Sequence, residues 1–210
     1  MSTPRVPAQV GTASATPGPC PIHRPTGRVR LLAAALCLVA SGAAADGNFL
    51  QMDLGPDTAD TVVAATRGKV SFGGIYSTYE GGWSAGGNVT RDLQLGDVAT
   101  LKIGPSLGIG DATEGVALGG KLIVESYRPT GFGFVFLSGQ YNTIANDWFT
   151  LAQVGNGQGL SVDLTAGGSD TYSEQAAALN FRLNDGPVSL RAGYRFQAES
   201  IFFGLSVNTY

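Results

Sequence analysis

The chain has 210 residues, with 13 Lys and Arg against 16 Asp and Glu and a sequence pI near 5.0. An acidic chain without basic clusters excludes nucleic acid as a partner. Both cysteines (Cys20, Cys37) and the one histidine (His23) lie in the first 45 residues, so the remainder can build neither a Ser-His-Asp hydrolase nor a His or Cys metal site.

Arg28 and Arg30 precede the apolar run Leu31 to Val39, and Ser41-Gly42-Ala43-Ala44-Ala45 follows it. Charge, a short apolar run and small residues, in that order, predict a signal peptide over residues 1–45, with a long Pro-rich n-region and cleavage after Ala45. The run is too short to cross a bilayer as a helix. Leu36 fills the place where a lipoprotein signal at Cys37 would carry a small residue. Without the leader the chain keeps nine basic residues and all 16 acidic ones, a formal charge of −7 over 165 residues, the length of one domain. It carries no cysteine and needs no redox chemistry in an oxidising compartment. No later stretch is long and apolar enough for a membrane helix.

Residues 46–68 read as a lead-in, because Asp53, Asp57 and Asp60 cluster around Gly55-Pro56. From Lys69 the sequence alternates with period two, the signal of strands with two different faces. In Val98 to Ile109, one face holds Ala99, Leu101, Ile103, Pro105, Leu107 and Ile109, and the other Val98, Thr100, Lys102, Gly104, Ser106 and Gly108. Val188 to Ala198 and Ile201 to Thr209 repeat the pattern. Turn formers such as Glu80-Gly81-Gly82, Arg128-Pro129-Thr130-Gly131, Gly155-Asn156-Gly157 and Asn184-Asp185-Gly186-Pro187 separate the alternating stretches, which predicts an antiparallel meander. Strands are expected near 69–79, 83–93, 98–109, 116–127, 131–142, 147–154, 159–166, 172–183, 188–197 and 200–209. Eight strands is the alternative count, and a short helix is the alternative for Ala145 to Gln153.

Alternation alone does not say which face is buried. The alternating runs are as long as a tilted strand needs to cross a bilayer. Their polar faces hold small residues and isolated charges (Lys102, Lys121, Asp163, Arg182, Arg191, Arg195) rather than dense Lys and Glu. The aromatics Phe72, Tyr76, Trp83, Trp148, Tyr194 and Phe196 sit toward the ends of apolar faces, as an interfacial girdle requires. Residues 69–210 are therefore expected to form an all-β, antiparallel, up-and-down transmembrane β-barrel of eight to ten strands, with the apolar face toward lipid. A soluble periplasmic barrel, with that face inward, is the alternative.

In this pattern the chain resembles the small outer-membrane barrels of the OmpA, OmpX and OmpW kind over about residues 69–210. The resemblance implies an outer-membrane location, lipid and lipopolysaccharide as neighbours, and insertion by the barrel-assembly machinery. Those barrels tend to end in an aromatic residue that the machinery reads, a role that falls here to Tyr210. The apolar residues before it, Leu205 and Val207, sit one place out of phase.

Outer-membrane enzymes of this architecture use a histidine, and none remains after the leader, so no enzymatic activity and no cofactor are expected. The polar face supplies an interior set of ions instead: Lys102, Lys121, Glu125, Asp163, Glu174, Arg182, Arg191 and Arg195. Desolvated charges persist when paired, and a barrel of eight to ten strands is just filled by its own side chains. The expectation is a side-chain-filled barrel with a structural or envelope role. A narrow pathway for small or apolar solutes and a soluble periplasmic carrier are the alternatives.

Overall fold

The structure, a computed structural model, describes residues 47–111 and 115–210. The expected leader and its cleavage after Ala45 lie outside the described residues.

Twelve strands close into one antiparallel barrel, each paired with its neighbours in sequence and the first with the last. They are β1 (Gly47–Leu54), β2 (Ala59–Arg67), β3 (Val70–Tyr79), β4 (Gly82–Leu95), β5 (Ala99–Gly110) and β6 (Ala117–Thr130). The second half comprises β7 (Gly133–Asn142), β8 (Asp147–Asn156), β9 (Leu160–Gly168), β10 (Ser173–Arg182), β11 (Val188–Arg195) and β12 (Ser200–Asn208).

The alternating stretches after Lys69 become β3 to β12. The expected count of eight to ten is corrected to twelve, because the lead-in is two further strands. Gly55 to Thr58 is a tight turn between them, closed by the Gly55 amide donating to the Thr58 carbonyl at 2.8 Å. The helix alternative for Ala145 to Gln153 is also corrected. A single 3₁₀ turn, Ile144–Asn146, precedes β8. The β10–β11 turn carries the residues its backbone demands: Asn184 and Asp185, at φ 51° and 53°, take the left-handed conformation that short Asx side chains tolerate.

Register fixes the two faces. On β9 to β12, Asp163, Ser161, Asn180, Arg191 and Ser206 turn inward and are buried, while Leu164, Leu179, Leu190 and Phe203 turn outward and are 52–65% exposed. The same outer band continues around the barrel through Ile103, Leu107, Leu118 and Leu137. Each such side chain left in water forgoes roughly 1.5–3 kcal/mol, and a belt of them is tolerable only against lipid. The soluble alternative placed this face inward; it is outward. Outer aromatics rim the belt: Tyr76 beside Trp83 with ring centroids 6.2 Å apart, Tyr194 against Phe196 at 5.5 Å, and Tyr141 opposite Trp148 in register. These pairs lie at the end of the barrel away from Gly47 and Tyr210. Two shallow grooves also lie on the outer wall, over Leu137, Ala152 and Leu164 and over Leu179, Leu190 and Phe203.

Candidate functional site: the barrel interior

The inward faces carry mainly small and polar residues, with the bulkier Phe134, Phe136, Phe149, Leu151 and Phe202 on β7, β8 and β12. Three features organise the interior.

The first is a buried ionic cluster on the wall from β8 to β1. Arg191 on β11 donates from Nε to Asp53 Oδ1 at 3.0 Å and from Nη1 to Asp163 Oδ2 at 2.7 Å and Asn180 Oδ1 at 2.6 Å. Gln51 Nε2 donates to Asp53 Oδ2 and Gln153 Nε2 to Asp163 Oδ1, each at 2.7 Å. Asn180 Nδ2 donates to Ser161 Oγ at 3.2 Å. One cation thus serves two carboxylates, and neighbouring amides satisfy the remaining lone pairs, as burial at side-chain exposures of 4–8% demands.

A second cluster faces it. Lys102 on β5 lies 2.8 Å from Glu125 on β6 and 4.0 Å from Asp92 on β4. Ser71 Oγ donates to Asp92 Oδ2 at 2.9 Å. Toward the end away from the termini, Lys121 meets Asp147 at 3.8 Å. There also Arg195 meets Asp60 at 2.6 Å, with its guanidinium 5.3 Å from the Phe202 ring centroid.

The third feature is a constriction. The β7–β8 connection folds inward, and Ile144 nests against the inward faces of β5 and β6: a Cβ added at Gly108 would meet it at 3.5 Å and one at Gly119 at 2.7 Å. The Gly120 amide donates to Thr143 Oγ1 at 2.9 Å, the Thr143 amide to the Gly120 carbonyl at 3.0 Å, and Ser106 Oγ to Asn142 Oδ1 at 2.8 Å. Asn146 Nδ2 donates to Asp170 Oδ1 at 2.9 Å, and the Asp170 amide to the Ala145 carbonyl at 3.0 Å, tying the turn to the β9–β10 connection.

The structure thus brings Arg191 to Asp163 and Lys102 to Glu125. It does not bring Glu174 to an arginine. That carboxylate accepts from the Gln197 and Ala198 amides at 3.0 and 3.1 Å, capping the β11–β12 turn. Arg182 sits at the rim beside the termini, exposed, and makes no ion pair among the described residues. Asp53, Asp60, Asp92 and Asp147 were not in the expected set; the first two lie in the stretch read as a lead-in. Tyr210 places its hydroxyl 3.0 Å from Thr66 Oγ1, on the inward parity of β12.

A closed antiparallel barrel with an apolar outer belt, aromatic rims and a polar interior is an integral outer-membrane barrel. No family model matches the chain, and no curated protein matches it. Among solved structures it is similar to the KdgM porin at a TM-score of 0.52 and 8% identity, over 78% of this chain and 99% of that one, both alone and in complex with disordered oligogalacturonate. The NanC porin aligns at a TM-score of 0.48 and 12% identity, over 77% of this chain and 98% of that one. The property shared with the KdgM structure is the fold of an outer-membrane porin. The finer resemblance to OmpA- and OmpX-type barrels does not extend to strand number, since those close with about eight and this one with twelve.

Proposed function

We propose that the barrel is a narrow channel for small hydrophilic solutes. The observation that carries this reading is Ile75. Its register with Val62 and Gly86 turns it into the barrel, yet it is 50% exposed. Water therefore reaches the interior at a level where the neighbouring inward positions are Gly73, Gly86 and Gly108. A side-chain-filled interior rested on eight to ten strands; barrel diameter grows with strand number, and twelve strands remove that premise. The porin fold of the KdgM structure supports the same reading. The connections at the end away from the termini are on average the longer ones, which is the extracellular side in such barrels, and the Ile144 turn narrows the passage just below that mouth. Solutes held to this width are ions and small molecules.

Purified, refolded protein in planar bilayers tests the proposal. Discrete conductance steps that persist in time are expected. A bilayer that stays silent at protein levels giving full liposome incorporation would return the barrel to a structural role.

A further inference from the structure

From the charge arrangement of the interior we infer that this passage favours cations and uncharged solutes and rejects acidic ones; the inference rests on the channel reading above. The inward register carries the acids Asp53, Asp60, Asp92, Glu125, Asp147, Asp163 and Glu174. Against them stand Lys102, Lys121, Arg182, Arg191 and Arg195. Arg191 is shared by Asp53 and Asp163, and Lys102 by Asp92 and Glu125. Both central cations are thus held between two carboxylates, and each cluster presents a net negative charge to the lumen. Lys121 and Arg195 are each neutralised by one acid. The exposed inward cation without a carboxylate partner among the described residues is Arg182, at the rim beside the termini.

The mouth points the same way independently. The connections at the far end carry Asp57, Glu80, Asp111, Asp170 and Glu199 and hold no Lys or Arg. At the opposite rim basic residues outnumber acids, with Arg67, Lys69, Arg128 and Arg182 beside Asp97 and Asp185. An anion approaching from the far end meets a like-charged ring, then an interior whose cations are already engaged. Rings of carboxylates concentrate cations and repel anions in a confined lumen, where the low-dielectric wall focuses the field. Oligogalacturonate, the ligand of the KdgM porin complex, is a polyanion and the wrong sign for this interior.

The test is the reversal potential of single channels under a potassium chloride gradient, with Asp60→Asn/Asp147→Asn as the comparison. Both carboxylates are partly exposed near the mouth, at 33% and 39%, so their replacement spares the buried clusters. A potential of the cation-selective sign, shrinking in the double variant, supports the inference. A potential of the anion-selective sign, or current interrupted by added oligogalacturonate, overturns the selectivity and leaves the channel standing. A cation preference unchanged in the double variant overturns the assignment to these residues. A silent bilayer overturns the channel and the selectivity together.

Discussion

Arg191 and Asp53 are 138 positions apart in sequence and meet at 3.0 Å across β12. The contact spans the seam where the first strand closes on the last, so it reports whether the ring is complete. Arg191→Ala removes the shared cation and strands two buried carboxylates, a loss of about 3–5 kcal/mol. The heat-modifiable folded band on a semi-native gel is expected to disappear at a clearly lower temperature. Lys at this position does not restore it, because a point charge cannot bridge Asp53, Asp163 and Asn180 at once. An unchanged transition in Arg191→Ala would show that the seam closes without the cluster.

Ile144 reaches into the interior, where its side chain fills the space left by Gly108 and Gly119. Ile144→Ala truncates that side chain without touching a barrel strand. The unit conductance is expected to rise by a measurable step while gel migration stays the same. The reverse change, Gly119→Val, forces a side chain into Thr143 and Ile144 and is expected to displace the turn, seen as altered or unstable current levels.

The outer belt makes a depth-dependent prediction. Leu164, mid-strand on β9 and 57% exposed, faces acyl chains, and Leu164→Arg is expected to cost about 2–4 kcal/mol of folding stability in lipid. Arg91 also turns outward, opposite Val70 and Ile103, but lies near the end of β4, where its side chain reaches the interface. Arg91→Leu is expected to shift stability little. Equilibrium folding into vesicles measures both, and equal penalties would mean that the two sites lie at one depth.

Where one face of a strand is apolar and the other small and polar, the sequence was readable: β5, β11 and β12 follow from alternation alone. The first two strands were not. Asp53 and Asp60 lie on the inward face, and beside Gly55-Pro56 they mimic a loop, although Leu50, Met52 and Leu54 alternate with Gln51 and Asp53. β2 carries Val62-Val63-Ala64-Ala65, whose uniform small side chains erase the period. Missing these strands hid one partner of Arg191, Asp53, and the partner of Arg195, Asp60, because both acids lie in the omitted segment. Asp163 was legible as an inward acid, but its sharing of one guanidinium depends on ring closure, which no local pattern encodes.

The inward turn is fastened to β6 by two neutral hydrogen bonds between Thr143 and Gly120. Bonds of this kind are worth about 0.5–1.5 kcal/mol each. Releasing both costs about 1–3 kcal/mol before the ties to Asn142 and Asp170 are added, so the detached form would be outnumbered at least roughly fivefold. A recording long enough to collect many openings would then carry excess noise, brief excursions to a larger current whose share of time follows that ratio. Thr143→Val keeps the shape and deletes the hydroxyl bond, and should lengthen those excursions. The record of an unmodified channel would thus contain, in its flicker, a direct reading of how firmly one threonine holds the turn.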